Sequence, residues 1–319
     1  MRRDEPLLPK PEWVRVPMPS GPVYADLRSR LKVSSLHTVC QEALCPNMGE
    51  CWAQGTATIM LLGEVCTRGC RFCNVKTGNP RGVVDLEESA RVAGEIIESR
   101  LKYVVLTCVD RDDLPDGGAF VFADTVRRLK AGRPELRVET LISDYRGSLE
   151  SLRTVVESGP DVVAHNVECA RRLTPEVRDP RASFDQSLAL LRRVKELDST
   201  RLSKSSIMVG LGETFEEVLE SARELRAAGV DIVTFGQYLR PSAKHLPVRR
   251  YWHPDEFKAL EAGARALGFL YVASGVFVRS SYRAAELFLH QHLESRDAAP
   301  GTATKTEGGK KDKDKHGPA

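Results

Sequence analysis

The chain has 319 residues, 41% of them apolar and 29% charged, with a net charge of +3 at neutral pH. That length is enough to bury a real core, as one large domain or two small ones, and so even a charge balance gives no argument for a nucleic-acid partner. No apolar run approaches a membrane span, and the start, MRRDEPLLPKPEW, has neither an apolar h-region nor a small-residue cleavage site, so the sequence predicts a cytoplasmic protein with no membrane partner.

Residues 1–55 read as an extension, proline-rich through Pro19, that leads into three cysteines, Cys40, Cys45 and Cys51, in VCQEALCPNMGECW. From Thr56 the texture changes. TATIMLLG, 56–63, is an apolar run of strand length, and at its carboxyl end CTRGCRFC places Cys66, Cys70 and Cys73 three and then two residues apart. Three thiolates on one tight loop suit three irons of a cubic 4Fe-4S cluster and leave the fourth iron open for a ligand. Zinc is the alternative, but a closed zinc site wants four ligands, usually as two close pairs, and neither triad divides that way. Disulfides are the third reading, and they belong to an oxidising compartment.

Strands and helices then alternate. Asp85 with Glu88 reads as a capping box opening a helix over 86–99, with Leu86, Ala90, Ala93 and Ile97 at helical spacing. A strand at 102–109, the loop DRDDLPDGG, a helix near 120–130, the strand RVETLI and a helix after Gly147 follow. Next come a strand over 161–168, a helix over 184–195, the strand segment SIMVGL, a helix opened by Thr214 and Glu217, and a strand over 231–239. Six such units imply parallel pairing with right-handed crossovers, as a doubly wound sheet or a barrel. In either, reactive groups gather at the carboxyl ends of the strands, where Asp110, Asn166, Glu168, Gly210, Glu213, Gln237 and Tyr238 all fall. His165 falls there too, as a ligand contact or a satisfied core histidine, while Cys108 and Cys169 read as packing residues. Beyond Leu239 come PSAKHLPV, a helix over 255–267, a strand at YVASGVF, and Arg279, Ser280, Ser281 and Tyr282; from Arg296 the Lys-rich tail lacks large apolar residues and reads as disordered.

CTRGCRFC resembles the cluster motif of the radical S-adenosylmethionine (SAM) enzymes. With CQEALCPNMGECW, VDRDDLPDGGA, HNVE, MVGLGET, GQYL, KHLPV and RSSY, the chain from about Val39 to Ala284 resembles the lipoyl synthases within that superfamily. The resemblance implies an α/β fold, a partial (β/α)6 barrel over 56–240. Around it would lie a cluster-binding extension at 1–55, a further extension at 241–295 and a tail at 296–319. It implies that Cys66, Cys70 and Cys73 bind a 4Fe-4S cluster whose open iron chelates SAM, and that Cys40, Cys45, Cys51 and Ser281 hold an auxiliary 4Fe-4S cluster. Asn166, Glu168, Met208, Gly210 and Glu213 would contact SAM, and the loop from Asp110 to Gly118 would face the substrate.

The activity implied is insertion of two sulfur atoms at carbons 6 and 8 of a protein-bound octanoyl-lysine, with the auxiliary cluster as donor. Partners implied are lipoyl-carrier domains (2-oxoacid dehydrogenase E2 subunits and the glycine cleavage H protein), flavodoxin or ferredoxin as electron donor, and an iron-sulfur carrier. Ser206, Cys108, Ser143 and Cys169 depart from the family pattern, and none is a cluster ligand. A biotin-synthase-like enzyme and a non-enzymatic metal protein are the competing readings.

Overall fold

The apolar runs become strands because each can be buried on both faces between an outer layer of helices and an enclosed interior. The computed structural model describes residues 8–15, 37–42, 45, 47–53, 58–99, 101 and 103–281; Tyr282 and the expected tail lie outside them. The strands are β1 (His37–Thr38), β2 (Thr58–Leu61), β3 (Val65–Cys66), β4 (Lys76–Thr77), β5 (Tyr103–Cys108) and β6 (Arg137–Leu141). They continue with β7 (Val162–Ala164), β8 (Leu202–Val209), β9 (Ile232–Gln237) and β10 (Tyr271–Gly275). Eight form one sheet in the order β1-β2-β5-β6-β7-β8-β9-β10, and β3 pairs with β4 apart from it. Every pairing from β2 to β10 is parallel, whereas β1, from the extension, runs antiparallel on β2. β1 and β10 are the two edges, so the barrel is partial and open, and β10 adds a seventh parallel strand to the six units expected.

Outward-facing strand residues meet the apolar faces of the helices. Val104, Leu106 and Val138 pack with Val92, Ile96, Phe122 and Leu129 from the helices Glu88–Glu98 and Ala119–Gly132. Ile207, Val209, Val233 and Phe235 pack with Val218, Ala222, Leu225 and Leu260 from Phe215–Ala227 and Pro254–Ala266. Each large side chain buried this way contributes about 1.5–3 kcal/mol, so the outer layer carries the stability and the inward face is free to be polar.

That inward face changes character along the strands. At their amino ends Tyr103, Val105, Val162, Leu202 and Ile232 close the interior. Above them Lys204 Nζ donates to both carboxylate oxygens of Glu139 at 2.9 Å, and Tyr103 Oη donates to the same carboxylate at 2.7 Å. At the carboxyl ends the interior opens into a cavity.

Several boundaries differ from the sequence reading. The first barrel helix starts at Glu88, not at 86, and has no capping box. Glu88 reaches back instead to accept the N–H groups of Leu62 and Gly63, at 2.8 and 3.3 Å, and Leu86 is 75% exposed rather than on the apolar face. Strand β8 begins at Leu202, earlier than SIMVGL suggested, because polar Ser203, Lys204 and Ser205 are buried, Lys204 inside the barrel. Strand β7 is only three residues, followed by a lone bridge between Glu168 and Ile207. The Thr214–Glu217 capping box forms as expected.

The Lys204–Glu139 pair yields a stability prediction. Glu139→Leu leaves a buried ammonium unpaired and costs about 3–5 kcal/mol, whereas adding Lys204→Met to that variant restores most of the loss. Urea unfolding of the two variants checks this; a neutral single variant contradicts it.

Candidate metal and cofactor centre

The turn that launches the first cysteine loop is built from left-handed backbone. Leu62 and Gly63, at φ 70° and 81°, swing the chain out of β2, with their N–H groups held by Glu88. Cys66 follows at the end of β3, and its Sγ accepts the backbone N–H groups of Arg68 and Asp110 at 3.4 and 3.3 Å. Cys70 Sγ accepts Asp179 N–H at 3.3 Å. The far side of the loop is held by the KHLPV stretch: a ring nitrogen of His245 lies 3.0 Å from the Cys73 carbonyl, and Leu246 N–H donates to Arg71 O.

The other triad comes from the extension. Cys40 and Cys51 are buried and Cys45 is half-buried. Asn74 Nδ2, one residue past Cys73, donates to Glu42 O at 2.7 Å and joins the two cysteine segments. Asn47 Nδ2 donates to Phe277 O at 2.6 Å, which brings the segment carrying Ser281 against the same triad. Gly236 at the end of β9 is glycine for a related reason, since a Cβ there would stand 2.0 Å from the Val278 carbonyl oxygen.

These pieces line one cavity of about 650 Å³, whose walls include all six triad cysteines, Ser281, Asn166, Glu168 and Met208. Glu168 sits in the left-handed region at φ 70°, a conformation that costs a non-glycine residue about 1–2 kcal/mol. Burial raises its carboxyl pKa, against the nearby Arg178 and a hydrogen bond from Asn166. Asn166 Oδ1 is buried without a hydrogen-bond partner, so it is an acceptor left open at the cavity wall. Gly210 and Glu213 do not line the cavity. Glu213 turns inward, accepting Leu211 N–H at 2.9 Å and Trp252 Nε1–H at 3.1 Å, and so shapes the turn after β8.

Burial pushes the Cys66 and Cys70 thiols up to about 12 and the Cys73 thiol up to about 11. Asp110, at the end of β5, is pushed up to about 6 by burial, against the pull of Arg68. The other acids of the DRDDLPDGG loop are engaged in structure. Asp112 binds Arg68, Asp113 binds Arg111, and Asp116 accepts the N–H groups of Gly118 and Phe120. Cys108, expected to be a packing residue, is half-buried on the cavity wall, whereas Cys169 is fully buried beside Thr174. His165 has both ring nitrogens within 2.9 Å of partners, Ile142 O and Ser187 Oγ. Arg68 and Arg178 went unremarked in the sequence, where an arginine beside a motif has no local signal of burial.

The Radical SAM superfamily model matches residues 60–236. A lipoyl synthase of Thermus thermophilus is 56% identical over 88% of this chain and 87% of its own. One of Anaeromyxobacter sp. is 57% identical over 91% of this chain and 99% of its own. The chain belongs to the lipoyl synthases. It is therefore a radical SAM enzyme that acts on lipoyl-carrier proteins, and its superfamily implies a 4Fe-4S cluster and SAM as cofactors. The FeFe-hydrogenase maturase HydG from Carboxydothermus hydrogenoformans matches at TM-score 0.50 and 14% identity, over 74% of this chain and 65% of that one, a likeness of fold alone.

The residues fit those cofactors. Seven cysteines, the six of the two triads and Cys108, face one cavity, and the orphaned Asn166 Oδ1 waits there for a donor. No disulfide joins any of the eight cysteines. Among the described residues no three His, Cys, Asp or Glu side chains converge as a single metal ion would need. A 4Fe-4S cluster sets a different demand, since each thiolate binds its own iron.

His165 carries a pH prediction. Burial, with Arg178 nearby, lowers its pKa from 6.5 to about 4. The unfolded chain therefore binds the extra proton first as pH falls. Stability is complete above pH 6.5 and drops by up to about 3 kcal/mol as pH falls towards 4. Unfolding midpoints between pH 4 and 7 should lose much of this slope in His165→Gln; an unchanged slope contradicts the assignment.

Proposed function

We propose that Cys66, Cys70 and Cys73 hold the 4Fe-4S cluster that binds SAM, and that Cys40, Cys45, Cys51 and Ser281 hold a second cluster that serves as sulfur donor. The octanoyl chain of a carrier lysine enters the cavity between them. The observation that carries this reading is that both triads and Ser281 line one cavity of about 650 Å³, a size that suits an extended acyl chain beside a nucleoside. When bound, these groups supply a deoxyadenosyl radical able to remove hydrogen from carbons 6 and 8 and sulfur to replace it.

The chain's own work is to bind, orient and exclude water. Asn166 Oδ1 and the Glu168 carboxylate are acceptors suited to ribose hydroxyls, and Met208 is an apolar wall suited to adenine. Gly210 and Glu213 act one step back, by fixing the turn that follows Met208. Ser281 offers a hard hydroxyl oxygen among soft thiolates, a ligand released more readily than cysteine would be. The anchors Asn47 and Asn74 keep the extension against the barrel so that both sites share one water-poor volume.

The carriers in this reading are 2-oxoacid dehydrogenase E2 lipoyl domains and the glycine cleavage H protein. Flavodoxin or ferredoxin supplies electrons, and an iron-sulfur carrier rebuilds the consumed cluster. The compartment is the cytoplasm, in keeping with eight cysteines and no disulfide; no helix among the described residues is long and apolar enough to cross a membrane.

Two variants separate the roles of the triads. Cys40→Ala should keep SAM cleavage to deoxyadenosine and lose sulfur insertion, with iron falling from about eight to about four per chain; Cys70→Ala should lose both reactions. A lipoyl product from Cys40→Ala would remove the sulfur-donor role.

A further inference from the structure

Arg68 stands between Cys66 and Cys70, yet its side chain is only 3% exposed. Its guanidinium makes two forked contacts. Nε and Nη2 donate to Asp112 at 2.9 and 2.8 Å, and Nη1 and Nη2 donate to Asp144 at 2.7 and 2.6 Å. Asp110 lies 3.5 Å from Nη1. Asp110 and Asp112 follow β5, and Asp144 follows β6, so a single side chain ties the cysteine loop to the carboxyl ends of two neighbouring barrel strands.

The same residue reaches a sulfur through its backbone. Arg68 N–H and Asp110 N–H both donate to Cys66 Sγ. Thr67 completes the knot: its N–H donates to Asp110 O at 2.9 Å, and its Oγ1 accepts Asp112 N–H at 3.0 Å. Both donors to Cys66 are therefore placed by residues that the Arg68 side chain holds. The donor to Cys70, Asp179 N–H, belongs to a separate segment, fastened by Gly69 N–H on Asp179 Oδ2 at 2.8 Å.

The geometry points to Arg68 as a positioning residue that sets the reduction potential of the SAM-binding cluster, by holding two N–H donors on Cys66 Sγ, with Asp144 as its anchor. This rests on the reading that Cys66, Cys70 and Cys73 hold that cluster. N–H groups aimed at a ligand sulfur favour the more negatively charged, reduced state and so raise the potential. Lysine cannot replace the arginine, because one ammonium cannot span two carboxylates as a planar fork does.

Charge and position predict opposite outcomes in one variant, which makes the inference testable. Arg68→Lys keeps the charge and loses the fork. Asp144→Asn removes a negative charge, which by field alone raises the potential, and weakens the anchor, which by position lowers it.

The measurement is an EPR-monitored redox titration of the anaerobically reconstituted full chain, following the signal that changes when SAM is added. Both variants should show a fall equivalent to at least a tenfold loss in the one-electron reduction equilibrium, which is about 59 mV. An unchanged potential in both overturns the inference, as does a rise in Asp144→Asn with no change in Arg68→Lys. If the unmutated chain, loaded with iron and sulfide, shows no SAM-sensitive signal, the cluster assignment itself fails and the inference falls with it.

Discussion

The parallel register from β2 to β10 is the constraint on which the site depends. It aligns the carboxyl ends of seven strands on one rim and alternates their side chains between helix layer and interior. The outward set is apolar and supplies the stability. The inward set runs from a closed floor, through the Lys204–Glu139 pair, to a cavity walled by cysteine, asparagine and glutamate. Because the sheet does not close, the gap between its edges is available to the segments that flank the barrel. The extension and the segment after β10 meet there through the Asn47–Phe277 bond. The cysteines of the extension and a serine about 230 positions away in sequence are thereby brought to the same space as the barrel's own cysteines.

The electrostatics of that space set a cost on forming thiolates in it. With the three loop thiols pushed up to between about 11 and 12, a metal that took them as thiolates would release protons on binding. Burial is the largest cause at each of them, and the N–H donors on their sulfurs only partly offset it. Those donors favour the thiolate form of the sulfurs they reach. The three aspartates around Arg68 follow the same logic. Asp112 and Asp144 are held below the ordinary carboxylate range, despite the cost of burial, by hydrogen bonds from Arg68, whereas Asp110, farther from the guanidinium, is pushed up to about 6.

What was legible in the sequence was what depends on near neighbours. The spacing of Cys66, Cys70 and Cys73, the apolar runs of β5 and β9, and the Thr214–Glu217 cap are all written within a few residues of themselves. Contacts across the fold were not. Glu88 had the spacing of a cap, yet its carboxylate is used 26 positions back by Leu62. Ser203, Lys204 and Ser205 hid the start of β8, because a buried lysine looks like a surface one until its partner, 65 positions away, is in place. Arg68 was hidden in the same way by carboxylates 44 and 76 positions distant. Gly210 and Glu213 sit in a motif that pointed to the cofactor, but the glutamate's hydrogen bonds turn it into the wall of its own turn.

The central claim is that the two cysteine sets act on one substrate in one cavity. The most direct measurement is an anaerobic reaction of the reconstituted chain with SAM, a strong reductant and an octanoyl-lysine peptide, followed by mass spectrometry of the peptide and analysis for deoxyadenosine. The account predicts a lipoyl peptide together with deoxyadenosine. Deoxyadenosine with an unmodified peptide, from protein shown to carry both clusters, would contradict it.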